Sequence, residues 1–308
     1  MTVATRATRA TRATSVSPGQ TGPMDIGVIF PQTEIGGDLG AVRAYGQAAS
    51  DLGYHHLAAY DHVLGADTAV HGDIGGPYDI HTTFHEPLVL FAYLAGITGL
   101  SFATSILIGP QRQTALLAKQ VAELDLVCDG RFRLGLGIGW NAVEYEALGY
   151  DFATRGERLE DQVAVLRQLW TQESVTVDSR FHHITAAGLA PRPARAIPIW
   201  IGGFAPAALR RIGRVADGWF PRVNPGGALS EALETVAEGA RQVGRDPAAI
   251  LLEGRVDYGS RDLDRMVTHA GRWRAAGASH LSVNTMAAGC ASVDDHVAAL
   301  AAIAEVLL

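Results

Sequence analysis

LSFATSILIGPQRQTALLAKQVAELDLVCDGRFRLGLGI, residues 100–138, decides the fold. LSFATSILI (100–108) is small or apolar throughout, which predicts a strand buried on both faces. Helical spacing of apolar residues follows over 112–128, and RFRLGLGI (131–138) predicts the next strand. A strand, a helix and a second strand in close succession argue for parallel neighbours in one sheet.

The alternation continues in both directions. DIGVIF (25–30) is a strand ended by Pro31, and 38–52 is a helix that stops at Gly53. HHLAAY (55–60) is the next strand, and EPLVLFAYLAGIT (86–98) a helix with Pro near its start. Beyond residue 138 come an amphipathic helix over 156–171 and strands IPIWIG (197–202), DGWFP (217–221), ILLEGRV (250–256) and SHLSVN (279–284). Helices over 204–214, 228–243, 261–276 and 292–307 separate and follow them. Eight strand–helix units within 24–308 predict one α/β domain, a (β/α)8 TIM barrel rather than an open sheet. Two stretches interrupt the rhythm: a Gly/Asp/His-rich excursion over 63–85, and one over 174–195 holding a candidate hairpin of SVTV and RFHHIT. Both are insertions at the C-terminal rim, where they shape a substrate pocket. Residues 1–23, with the repeat TRATRATRAT and no acid, have too little apolar material to order, which predicts a disordered tail.

Composition narrows the function classes. Of 308 residues, 48% are apolar and 19% charged, with net charge −7. That is globular composition without a basic surface for nucleic acid, and no stretch is apolar enough to span a bilayer. Cys128 and Cys290 are far apart and outside any CxxC, which fits reduced thiols in a cytoplasmic protein. His71, His81, His85, His182 and His183 match no metal spacing, so no metal is expected. GxSxG, a P-loop and a GxGxxG at a strand-to-helix turn are all missing. The GxGxG inside RLGLGIGWN lies within a predicted strand and is weak as a phosphate signal.

In a barrel the chemistry belongs at the carboxyl ends of the strands. Strand two ends in Tyr60, Asp61 and His62; strand three in Thr104, Ser105 and Ile106; strand four in Gly139, Trp140 and Asn141; strand five in Gly202, Gly203 and Phe204. His62 can exchange a proton near neutral pH, and Asp61 can orient a neighbour, bind substrate or simply cap a loop. GGFAPAALRR (202–211) sets two glycines before a helix, a natural phosphate seat and equally an ordinary tight turn. Trp140 can wall a planar ring and Asn141 bond a ring edge or phosphate; the alternative is a packed rim aromatic beside a capping Asn. Arg112, at the start of its helix where a positive charge gains nothing from the dipole, predicts an anion contact or a structural salt bridge to Asp125 or Asp129.

LGLGIGWNAVEYEALG (134–149) and RGERLEDQVAVLRQLW (155–170) resemble the luciferase-like monooxygenase superfamily. So do DHVLG (61–65), TSILIGPQRQTALLAKQVAELDLVCDGR (104–131) and IPIWIGGFAPAALRRIGRVADGWFP (197–221), in the family's order. The resemblance implies a TIM-type barrel holding the deazaflavin F420, or alternatively FMN, at the carboxyl-end rim, and DHVLG with GWN is most similar to the F420 branch. It implies a polar pair, Asp61 and His62, beside the redox ring, a non-prolyl cis peptide at Ser105–Ile106 behind it, and a cofactor phosphate at Gly202, Gly203 and Phe204. Trp140 stands where some deazaflavin dehydrogenases carry a glutamate, which argues against sugar-phosphate oxidation. Three readings follow: hydride transfer between F420 and a small organic substrate; oxygen insertion by reduced FMN from a separate flavin reductase; and a flavin-binding barrel without catalysis. The family also implies a homodimer.

Overall fold

The computed structural model describes residues 23–308, so the expected tail lies outside the described residues but for Pro23. Eight strands, all parallel, run β1 (Asp25–Ile29), β2 (His56–Ala59), β3 (Ser101–Thr104, resuming at Leu107–Ile108), β4 (Phe132–Gly137), β5 (Ile199–Gly203), β6 (Gly218–Pro221), β7 (Leu251–Asp257) and β8 (His280–Asn284). Each pairs with its successor, and β8 pairs with β1, so the sheet closes into a barrel.

The stretch 100–108 departs from a single strand. The peptide bond Ser105–Ile106 is cis, and the strand breaks there. Phe102 lies opposite Phe132 before the break and Leu107 opposite Leu136 after it, so β3 spends one residue more than β4 over the same span. Elsewhere residues alternate between the two faces of the sheet. Outward-facing Val28, Leu57, Leu134 and Ile201 are buried under eight helices: α1 (Leu39–Asp51), α2 (Pro87–Ala95), α3 (Thr114–Val127), α4 (Arg155–Thr171), α5 (Pro206–Val215), α6 (Gly227–Gln242), α7 (Leu263–Ala275) and α8 (Val293–Leu307). Side chains cap several of them: Asp38 accepts from the N–H groups of Gly40 and Ala41, and Ser292 forms a capping box with Asp295.

Of the insertions, 63–85 carries one short helix, Thr68–His71, and 174–195 an antiparallel hairpin, Val175–Asp178 with His183–Ala187. His182 pins that hairpin to the barrel: Nδ1 lies 2.8 Å from Asp161 and Nε2 2.6 Å from Thr114 Oγ1. Among the described residues no helix is long and apolar enough to cross a membrane, and no group of His, Cys, Asp or Glu is placed to hold a metal ion.

The floor of the barrel is charged. Glu253, on the inward face of β7, lies 3.1 Å from His56 Nε2, accepts from Ser282 Oγ at 2.5 Å and pairs with Arg133 at 3.0 Å. The Arg133 guanidinium sits 4.7 Å from the centre of the Trp200 ring. Burial alone would raise the Glu253 carboxyl, but Arg133 and His56 outweigh it and hold it far below the ordinary carboxylate range. A carboxyl depressed in the folded state lends stability above its unfolded pKa of about 4.3, and that share is lost as pH falls. Glu253→Gln, which strands Arg133, is therefore expected to lower the unfolding free energy by about 3 kcal/mol at pH 7. In urea titrations the deficit should shrink on acidification below about pH 4; a constant deficit would contradict the assignment.

Candidate active site

The site forms at the carboxyl ends of the strands, starting where β3 breaks. Past the cis bond the Ile106 side chain turns inward and lies across the barrel toward β4 and β5. A Cβ on Gly137 would fall 2.5 Å from Ile106 Cδ1, and one on Gly202 2.9 Å from Ile106 Cγ2. One layer lower, a Cβ on Gly135 would fall 1.8 Å from the Thr104 carbonyl oxygen. Thr104 Oγ1 accepts there from the Gly135 N–H at 2.8 Å and donates to its carbonyl at 2.7 Å. The glycines of RLGLGIG therefore admit β3 against β4, which is a packing role rather than a phosphate loop.

Asp61 and His62 part company. Asp61 is 3% exposed; it accepts from the Ile108 N–H at 2.9 Å and from Arg112 at 2.7 Å. Burial pushes its carboxyl up, and Arg112 and the Ile108 N–H pull it back. It ties β2 to the second half of β3 and does not open onto the mouth. Arg112 itself precedes α3 and bridges Asp61 and Glu86, the latter at 2.9 Å, instead of Asp125 or Asp129. Asp125 pairs with Arg195 at 2.5 Å, so the expected bridge is corrected by a nearer cation.

His62 turns toward Glu144, whose Oε2 lies 2.9 Å from Nδ1. The other oxygen of Glu144 accepts from the N–H groups of Val63 and Leu64. Burial would raise the Glu144 carboxyl, but the His62 contact and these backbone donors prevail and lower it. Three aromatic rings surround His62: Phe84 at 4.9 Å, Trp140 at 5.3 Å and Tyr78 at 5.5 Å between centroids. Tyr78 and Phe84 come from the 63–85 excursion, and Gly76 lies so close that its Cβ would fall 2.3 Å from the Trp140 ring. Asn141 caps the short helix Ala142–Ala147 through the N–H groups of Val143 and Glu144, and donates to the Leu64 carbonyl at 3.2 Å. Buried, it positions Glu144 through these bonds. Gly139 takes a φ of 62°, and a Cβ there would fall 2.9 Å from Ile108 Cγ2.

At the end of β5, Gly203 packs against Ala208, and Phe204 stands 61% exposed beneath the Arg222 guanidinium, 5.6 Å from its ring centre. Helix α5 then begins with Ala205 as N-cap, without a side-chain acceptor and without an acid in its first turn. Its leading N–H groups thus have no side-chain partner, and a phosphate would supply the missing acceptor. The residues present fit a flavin-type group: a glycine-lined face at Ile106 for a planar ring, and this helix start for a phosphate.

A model of the family described as luciferase-like monooxygenase matches residues 24–256. The chain belongs to the luciferase-like monooxygenase family. An uncharacterized protein of Mycobacterium tuberculosis is 39% identical over 137 residues, 44% of this chain and 47% of its own. An F420-dependent glucose-6-phosphate dehydrogenase of Segniliparus rotundus is 30% identical over 221 residues, 68% of this chain and 64% of its own. The chain thus spans between about half and two thirds of these curated relatives. An F420-dependent secondary alcohol dehydrogenase in complex with an F420–acetone adduct has the same fold, with TM-score 0.73 at 17% identity over 92% of this chain and 98% of that one. The FMN-bound oxygenating constituent of 3,6-diketocamphane monooxygenase from Pseudomonas putida matches with TM-score 0.68 at 17% identity, over 93% and 98%.

In this luciferase-like barrel the sequence left out Glu144, Tyr78 and Phe84. Glu144 had a readable signal, because an acid in the first helical turn three residues after an N-cap Asn faces back toward the cap. Tyr78 and Phe84 had none, since their place depends on how a long excursion folds. Gly135→Ala is expected to destabilise the protein by more than about 3 kcal/mol, since a carbonyl oxygen of the backbone cannot move aside. Gly137→Ala meets only a side chain and should cost less, and adding Ile106→Ala should make the double variant's loss smaller than the sum. Urea unfolding of the unaltered protein, the three single variants and the double variant checks the order.

Proposed function

We propose that the protein is an F420-dependent oxidoreductase that exchanges hydride with a small organic substrate, with His62 as the group that gives or takes the accompanying proton. The observation that carries this reading is the His62–Glu144 pair set in an aromatic cage at the barrel mouth. Glu144, kept anionic, accepts the proton on Nδ1, and so leaves Nε2 as the exchanging atom and stabilises the charged ring when it forms. The cage keeps water off that ring, so a proton held there passes to a substrate oxygen rather than to solvent. Bound at this mouth, the deazaflavin supplies the hydride chemistry, and the chain supplies orientation. Ser105, Ile106 and Gly202 would back its ring, Gly139 and Trp140 border it, and Gly203, Phe204 and the start of α5 hold its phosphate. Asp61 and Asn141 act indirectly, by fixing β3 and Glu144.

The Segniliparus relative's name supports F420, while Trp140 in place of an acid is the reason its sugar phosphate is not carried over. Reduced FMN from a separate reductase is the second reading, supported by the family's description and the FMN-bound fold neighbour. A homodimer belongs to the proposal, supported by the exposed apolar side chains of Val89, Leu116 and Val127 on α2 and α3. A cytoplasmic site is likewise proposed, from two cysteines that remain unpaired.

Titration of each cofactor into apo-protein, read by tryptophan fluorescence, tests the choice: F420 should quench at micromolar concentration and FMN should not. Tight FMN binding without a response to F420 would overturn it. Once turnover is measured, His62→Ala should lower kcat by about 10² to 10⁴, and Glu144→Gln by a smaller factor with an altered pH profile. Unchanged rates would remove both residues from the chemistry.

A further inference from the structure

The inward face of β7 carries Glu253, Arg255 and Asp257 in layers that rise from the floor of the barrel to its mouth. The Glu253 side chain is 2% exposed and that of Arg255 54%. The barrel is therefore an open cup down to the Arg255 layer, closed beneath by the charged floor. Arg255 meets one carboxylate, with Nε 3.3 Å from Asp257 Oδ1. That oxygen also accepts from Asn284 Nδ2 at 2.8 Å. Among the described residues Asp257 is the one carboxylate paired with Arg255, and none pairs with Arg222.

Both guanidiniums lie near enough to Tyr78 of the His62 cage to act on its hydroxyl. Arg255 reaches the hydroxyl of Tyr60, the inward residue at the end of β2. Burial pushes that hydroxyl up to about 12 even with Arg255 pulling it down. Tyr78, in ring contact with His62, feels both Arg255 and Arg222, which offset the rise that burial gives its own hydroxyl. Two cations against one shared, half-exposed carboxylate leave an excess of positive charge inside a concave wall, in a chain that is acidic overall. The paired terminal nitrogens of a guanidinium match a carboxylate in geometry. Arg222 lies over Phe204, at the proposed cofactor phosphate seat, whereas Arg255, on the neighbouring strand β7, acts on Tyr60 at the end of β2.

We propose that Arg255 is a specificity residue that binds a carboxylate on the substrate, holding the substrate's reacting carbon next to His62. The inference rests on the reading of this cup as the substrate pocket. The cofactor's own anionic groups offer the same chemistry, so the test must separate the two sources.

Benzoate and its neutral counterpart benzamide serve as probes, titrated calorimetrically into the cofactor-loaded protein. Benzoate is expected to bind at least about tenfold more tightly than benzamide. Arg255→Gln should erase that difference while changing affinity for benzamide and for the cofactor by less than about twofold, and Arg255→Lys, which keeps the charge without the fork, should retain part of it. Equal binding of the two probes to the unaltered protein would overturn the proposal, as would a benzoate preference that survives Arg255→Gln. A tenfold loss of cofactor affinity in Arg255→Gln would overturn it too, by assigning Arg255 to the cofactor. Failure of the F420 reading shows separately, as no F420 binding to the unaltered protein; the probes are then titrated into FMN-loaded protein, and the same outcomes decide.

Discussion

Ile106 occupies space that side chains on two neighbouring strands would otherwise need. Its Cδ1 lies 2.5 Å from where a Cβ of Gly137 would be, and its Cγ2 2.9 Å from where a Cβ of Gly202 would be. Below it the Thr104 carbonyl presses so closely on Gly135 that no other residue fits. The three glycines and the cis Ser105–Ile106 bond thus form one arrangement, in which β3 leans into the barrel and leaves the upper ends of β4 and β5 bare. A smooth floor results at the mouth, bordered by α5 on one side and by the His62 cage on the other. Close packing makes this arrangement rigid, so the polar groups around it keep fixed directions.

The polar groups fall into two sets. Asp61, Arg112, Asn141 and His182 spend their hydrogen bonds inside the protein, holding β3, Glu144 and the hairpin in place. His62, Tyr60, Arg222 and Arg255 keep capacity toward the cup. The 63–85 excursion links the sets, because Tyr78 touches His62 and also lies in the field of both arginines. The proposed proton-exchanging site therefore depends on the place of that excursion, which supplies two of the rings around His62.

Much of the barrel was legible because alternation of strands and helices is a local signal repeated eight times. The break in 100–108 was not legible from periodicity, since Ser105 and Ile106 suit a buried strand as well as a bend; the family resemblance located it. Asp61 and His62 read as a pair because they are adjacent, yet adjacent residues on an extended chain point in opposite directions. Arg112 was paired with Asp125 on nearness along the chain, while Asp61, 51 residues away, is nearer in space. Arg255 was passed over because it lies within a strand, where its inward direction and its exposure depend on the depth of the cup. Long-range placement of this kind is set by tertiary packing and leaves no local trace in the sequence.

A crystal structure of the protein with F420 tests the central claim most directly. The account predicts the deazaflavin ring lying on the Ile106 face of the mouth, the phosphate at the first N–H groups of α5, and His62 Nε2 opening onto the side of the ring that the substrate takes. A ring seated away from Ser105–Ile106, or a phosphate held anywhere other than the start of α5, would contradict it.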